Sequence, residues 1–267
     1  MKDDSPRLPS AVRDQIAAAL DEMEHRLHGL LDSKGRVAEE THALRKLGKS
    51  VRGGLNLFGL PKSAVRAIGA IGRLLGGPRD AVSRRTTWQR LALADGPHAG
   101  ESSVAAIGAL LEQHAKAAAR RPPPETVSWA SVRLRHTRAA LSAIPGEALS
   151  QRAEKGLRKL CKHLRADLRS IITHHGEHEF HDLRKAIKAW LGAMHHLGVA
   201  KDERVAAFTD LLGDVNDLHV FATWLDAHGF VRSLAPIPWR AVDERLAALR
   251  HEILHTAPSI RKIVSAP

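Results

Sequence analysis

One segment of this chain occurs twice, and its period makes it a helix. Residues 42–49 read His-Ala-Leu-Arg-Lys-Leu-Gly-Lys, and residues 181–188 read His-Asp-Leu-Arg-Lys-Ala-Ile-Lys. His, Leu, Arg and both Lys recur at the same offsets. About thirty residues later each copy is followed by a second shared motif, Leu74-Leu75-Gly76-Gly77-Pro78-Arg79-Asp80 and Leu211-Leu212-Gly213-Asp214-Val215-Asn216-Asp217. Two motifs in one order at one spacing mark an internal duplication.

The duplicated unit is a row of cations. At roughly 100° per residue, with His42 at zero, Arg45, Lys49 and Arg52 fall near 300°, 340° and 280°, and Lys46 near 40°. Leu44, Leu47, Val51, Leu55 and Phe58 cluster on the far side, between roughly 140° and 220°. In the second copy His181, Arg184, Lys185 and Lys188 share one arc, opposite Leu183, Trp190, Met194 and Leu197. A third segment, residues 152–172, has the same design. Leu157, Leu160, Cys161, Leu164, Leu168 and Ile171 form its apolar stripe, and Arg158, Lys162, Arg165 and Arg169 line the other face, with Lys155 just outside. An ordinary solvated face mixes signs, because Glu–Lys pairs one turn apart stabilise a helix and like charges do not. Three single-sign faces call for an anion.

Composition points the same way. The 267 residues carry 41 Lys and Arg against 29 Asp and Glu, a formal charge of +12, with 17 His that gain charge as the pH falls. Such a balance implies nucleic acid, an anionic membrane or a phosphate polymer as partner. Aromatic content of 4% disfavours a single-strand nucleic-acid platform, where bases need stacking partners. Trp88, Trp129, Trp190, Trp224 and Trp239 are read as packing residues. The one cysteine, Cys161, forms no intrachain disulfide and is read as a small apolar residue. With no apolar signal region after Met1 and no run long enough to span a bilayer, the expectation is a soluble cytoplasmic protein.

Helical periodicity covers residues 11–31, 38–59, 62–76, 80–94, 102–120, 127–145, 151–173, 179–198, 202–213, 215–228 and 238–255, separated by Gly- and Pro-rich turns. No stretch alternates apolar and polar as a strand does. The expectation is an all-α chain. Residues 1–10 are a disordered tail, 11–147 a first helical half and 148–267 a second.

These residues resemble the CHAD domain, the conserved histidine α-helical domain family, over nearly the whole chain. The carriers are His42-x-x-Arg45-x-x-x-Lys49-x-x-Arg52, His181-x-x-Arg184-x-x-x-Lys188, and the Leu-Gly-x-x-[Arg/Asn]-Asp turns ending at Asp80 and Asp217. The resemblance implies two four-helix bundles related by a pseudo-twofold, with basic helices lining a central groove or pore. It also implies non-enzymatic binding of inorganic polyphosphate and association with polyphosphate granules. The second copy departs from the first in having Leu191 at the place of Arg52 and Ala189 at a position often basic in the family. Glu177-His178-Glu179 superficially resembles the glutamates of the triphosphatase domain attached to some members, but lies at a helix start without the following lysine.

Other constellations take plainer readings. The stretch from His174 to His181 is rich in metal-ligand residue types, but a basic surrounding opposes a cation, so no metal is expected. Asp80 and Asp217 are read as helix caps or as partners of a neighbouring Arg. No phosphate-binding glycine loop, catalytic triad order or paired cysteine is present, and neither enzyme activity nor a cofactor is expected. The candidate polyphosphate-binding residues are His42, Arg45, Lys46, Lys49 and Arg52; His181, Arg184, Lys185 and Lys188; and Arg158, Lys162, Arg165 and Arg169. Arg135 and Arg138 join them, although their helix segregates its charge less cleanly. Two other readings stay open, a nucleic-acid-binding basic scaffold and a metal-dependent phosphohydrolase. Nucleic acid is otherwise expected only as a weaker electrostatic competitor.

Overall fold

A computed structural model describes residues 8–32, 37–93, 96–98, 100–118 and 122–265. Among these the chain forms ten α-helices and no strand: α1 (Pro9–Asp32), α2 (Val37–Leu57), α3 (Lys62–Leu74), α4 (Gly76–Arg90), α5 (Ser102–Ala118), α6 (Pro124–Ser142), α7 (Leu149–His174), α8 (Glu177–Leu197), α9 (Glu203–Ala227) and α10 (Pro236–Ser265). A single 3₁₀ turn at Gly146–Ala148 precedes α7. No helix among the described residues is long and apolar enough to cross a membrane.

Each helix buries the stripe that its period sets out. On α1 that stripe is Val12, Ile16, Leu20, Met23, Leu27 and Leu30, at three- and four-residue steps. Local signals fix several ends. Asp202 caps α9 by accepting from the backbone N–H of Arg204 (2.8 Å) and Val205 (3.4 Å). Gly198, in the left-handed region at φ 79°, ends α8. The connection from α7 to α8 is only His175-Gly176, with His175 itself left-handed at φ 53°, so the two helices return side by side and antiparallel.

Two apolar cores result, and they do not follow the two halves of the sequence. The first is built by α1, α2, α3 and α6 with the beginning of α7, through residues such as Leu20, Leu55, Ile68, Leu134 and Leu160. The second is built by α4, α5, α9 and α10 with the end of α7 and the start of α8, through Trp88, Ile107, Leu168, Leu183, Phe208 and Ile253. Each core thus draws helices from both sides of residue 148. Helices α4 and α5, from the first half, pack into the second core. The physical reason is length. Helix α7 has 26 residues and α8 has 21, which at about 1.5 Å per residue is long enough to serve two cores with successive turns. Trp190 packs against both.

Four further expectations change. Helix α9 runs unbroken through Gly213, where a break between 213 and 215 was expected. The corresponding stretch of the first repeat does break, at Leu75 (φ −88°, ψ 8°), because Pro78 brings no backbone N–H to continue the ladder to Leu74. Asp80 and Asp217 consequently lie inside α4 and α9 and cap neither helix. Helix α10 continues past 255 and through Pro258. The hydrogen bond forgone there is outweighed by burial of Ile253, Ala257, Ile260 and Val264 on one continuous stripe. Of the tail expected over residues 1–10, residues 1–7 lie outside the described residues, and Pro9 and Ser10 already belong to α1.

Candidate functional site

The two copies of the repeat pack against each other. Gly53 of α2 meets Gly192 of α8, and a Cβ added at Gly53 would stand 2.6 Å from the Gly192 backbone. Glycine is required at Gly53, and a Cβ at Gly192 would be tight, 3.1 Å from Gly53 and from the Ser50 carbonyl. The two are equivalent positions, each eleven residues after its repeat's His.

This crossing brings the two basic arcs together. Arg45 acts electrostatically on Arg184, its equivalent, and Lys49 acts on Lys188, its equivalent. The Arg184 guanidinium is driven below its ordinary range first by burial and then by Arg45, with Asp217 opposing. Lys188 is driven furthest, to about 7, by burial first and then by the charges of Arg184 and Lys49, with Asp217 and Asp210 opposing. A lysine so placed carries its proton only half the time at neutral pH.

The two arginines differ in how they are held. Arg45 Nη1 donates to Asp80 Oδ1 at 2.8 Å and to the Gly76 carbonyl at 3.4 Å. The second motif's Asp217 accepts from Ser83 Oγ (3.0 Å) and from Asn216 Nδ2 (3.3 Å) instead. Arg184 makes no ion pair among the described residues, and its Nε is buried without a hydrogen-bond partner. Leaving such a donor unmatched costs on the order of 1–3 kcal/mol, which a bound oxyanion would recover.

Around this quartet the other predicted residues spread out. His42 and Lys46 are exposed on α2, as is Lys49 of the quartet. Arg52 lies over Gly69 of α3, and burial together with Arg73 lowers its pKa. His181 faces Asn216 Oδ1 at 3.3 Å, and Lys185 pairs with Asp182 at 3.0 Å. The α7 row takes a different flank of its helix. Arg158 pairs with Glu154 one turn earlier, Arg165 donates to the Cys161 carbonyl (3.2 Å), and Lys162 and Arg169 are exposed. Arg135 and Arg138 lie on the seam with α1, paired to Glu24 (3.6 Å) and Asp21 (3.1 Å).

Beside the crossing is a groove of about 940 Å³ between the end of α2, α3, α7 and α8. From the predicted set it takes Arg52 and Lys185. Its remaining cations, Lys62, Arg66, Arg152, Lys155 and Lys159, are residues that the sequence reading did not select. The signal for them is Gly156. A Cβ there would fall 1.8 Å from the Leu57 carbonyl oxygen, so α7 meets α2 at Gly156, with Arg152 and Lys159 within about 60° of it and Lys155 at the edge nearest the Lys162 row. Among the described residues no cluster of three or more His, Cys, Asp or Glu could hold a metal ion.

The same architecture is found in solved structures. The crystal structure of the CHAD domain from the plant Ricinus communis superposes with a TM-score of 0.61 at 19% identity, over 99% of this chain and 94% of that one. PptA from Streptomyces chartreusis matches with a TM-score of 0.57 at 16% identity, over 97% of this chain and 99% of its own. No curated protein matches the sequence. The family model of the CHAD domain covers residues 14–226, most of the chain and both copies of the repeat. The chain belongs to the CHAD domain family.

Proposed function

We propose that this protein binds inorganic polyphosphate at the crossing of α2 and α8 and does so without chemically altering it. The observation that carries the reading is the convergence of Arg45, Lys49, Arg184 and Lys188, in which equivalent positions of the two repeats act on each other and burial lowers the pKa of Arg184 and Lys188. Like charges held together in partly buried positions are unfavourable until an anion joins them. A phosphate chain presents little but repeating negative oxygens, so a binder needs several donors in succession. Arg184 offers a fork of N–H groups to two oxygens, and Lys188 a mobile point charge. The meeting of equivalent positions also supports the two-fold arrangement that the family resemblance implies. Association with polyphosphate granules follows as the cellular side of the same proposal.

The test is competition. Polyphosphate should displace a labelled single-stranded DNA at far fewer charge equivalents than DNA needs to displace polyphosphate. Equal potency per charge would make the protein a general polyanion scaffold. Incubation of long-chain polyphosphate with the protein and Mg²⁺ should release no phosphate, and steady release would instead make it a phosphohydrolase.

A further inference from the structure

The groove beside the crossing is built differently from a site for a bare phosphate chain. Along α7 its lining runs from Gln151 to Asp167, roughly 24 Å at 1.5 Å per residue. At the Arg152 end, Lys155 and Lys159 of α7 face Lys62 and Arg66 of α3, and none of these four makes an ion pair among the described residues. Leu160 of α7 with Ala186 and Ala189 of α8 gives the middle an apolar lining, and Leu60 and Val65 extend it beside Lys62 and Arg66. At the other end, two carboxylates stand close enough to act on each other, Asp167 of α7 and Asp182 of α8.

This gradation has consequences for a ligand. A uniform polyanion lying along the whole groove would place phosphates against Asp167 and Asp182 and would leave the apolar middle unused. Asp182 is already engaged by Lys185 (3.0 Å) and His178 (3.0 Å). Asp167 has no such partner among the described residues, and burial first, then Asp182, raise its pKa, with His163 opposing. It is an acceptor suited to hydroxyl or amino groups and unsuited to an anion. The volume is that of a small-molecule pocket, which spans about 300–1,000 Å³.

We infer that this groove is a second binding site, for an organic polyphosphate whose phosphates sit among Lys62, Arg66, Lys155 and Lys159, whose ring body covers the apolar middle, and whose hydroxyl or amino groups reach Asp167. A nucleoside triphosphate has this order of chemistry: anion, ring, neutral donors. The site uses the Lys185 flank of α8, whereas the quartet uses the Arg184 and Lys188 flank, so the two can be filled together. The inference does not rest on the polyphosphate reading of the quartet.

Isothermal titration of the full chain with ATP and with inorganic tripolyphosphate, at matched ionic strength and without divalent metal, tests it. ATP should bind one per chain and at least tenfold more tightly than tripolyphosphate. Lys155→Glu with Lys159→Glu should weaken ATP binding at least tenfold. Asp167→Leu should weaken ATP but not tripolyphosphate, and Arg184→Glu with Lys188→Glu should leave ATP binding within threefold. Lys62→Ser with Arg66→Ser, on exposed positions of another helix, provides a second phosphate-end variant should the first not fold. ATP binding no tighter than tripolyphosphate, or insensitive to the groove lysines, overturns the inference. So does ATP binding that is lost only with the quartet. None of these results touches long-chain binding by the quartet, which is measured separately.

Discussion

Lys188 makes the binding of an anion a proton-linked event. With the side chain held at about 7, about half the molecules carry the proton at pH 7, about one tenth at pH 8 and about one hundredth at pH 9. An oxyanion between Lys188 and Arg184 restores the lysine toward its ordinary range, because an opposite charge favours the protonated form. Binding therefore takes up about 0.5 proton at pH 7 and about 0.9 at pH 8, and affinity should fall about 50-fold from pH 7 to pH 9. Histidines of ordinary pKa are already mostly neutral above pH 7.5 and contribute little to this window. The assay is calorimetric titration of polyphosphate in buffers of differing ionisation enthalpy, at pH 7, 8 and 9. Lys188→Arg keeps a charge that does not titrate and should flatten the profile while retaining binding at pH 9. An affinity independent of pH between 7 and 9, or a proton uptake unchanged in Lys188→Arg, would refute the reasoning. The same shift bears on stability with a definite sign. Between pH 7 and 10.5 the unfolded lysine holds a proton that the native one has lost, so the unliganded protein gains stability as pH rises through that range.

Further outcomes follow from the same geometry. Gly53→Ala forces backbone apart at 2.6 Å and should lower the unfolding free energy by about 2–3 kcal/mol in a denaturant titration, whereas Gly192→Ala, where the nearest atoms stand at 3.1 Å, should cost clearly less. Asp80→Asn removes the carboxylate held by Arg45 (2.8 Å). Because the pair is partly exposed the stability loss should stay below about 1 kcal/mol, while polyphosphate affinity rises a few-fold in the same titration. Polyphosphate binding should weaken steeply with salt, and Arg184→Glu with Lys188→Glu should reduce the slope of log K against log salt by about 1.4, near 0.7 per lost contact. An unchanged slope would place the contacts elsewhere.

Much of the fold was legible because burial follows period. The stripe from Val12 to Leu30 and the stripe from Leu44 to Phe58 are visible as 3.6-residue patterns and are buried as such. The pairing of the repeats was legible only in part. The duplication located Arg45, Lys49, Arg184 and Lys188, but that Gly53 meets Gly192 is a tertiary fact that periodicity does not carry. Exchange of α4 and α5 into the second core was invisible for the same reason, since apolar stripes state that a face is buried and not against what. Helix α7 shows the limit most clearly. Its cations extend around both flanks of the apolar stripe, and the reading chose Arg158, Lys162, Arg165 and Arg169, where charge was least interrupted. The flank facing α2 is marked by one residue, Gly156, whose missing side chain makes room for the Leu57 carbonyl. The Arg45–Asp80 pair was legible as one of two alternatives for Asp80, and the capping alternative fell because α4 begins four residues before it.

On the proposed function, both repeats hold one phosphate chain where α2 and α8 cross. Titration of a polyphosphate of defined length into the wild type, Arg45→Glu with Lys49→Glu, and Arg184→Glu with Lys188→Glu tests it directly, with circular dichroism to establish that each variant is folded. Both variants should lose at least tenfold in affinity, since each reverses two of the four converging charges. Full-strength binding by a folded Arg184→Glu, Lys188→Glu variant would contradict the account.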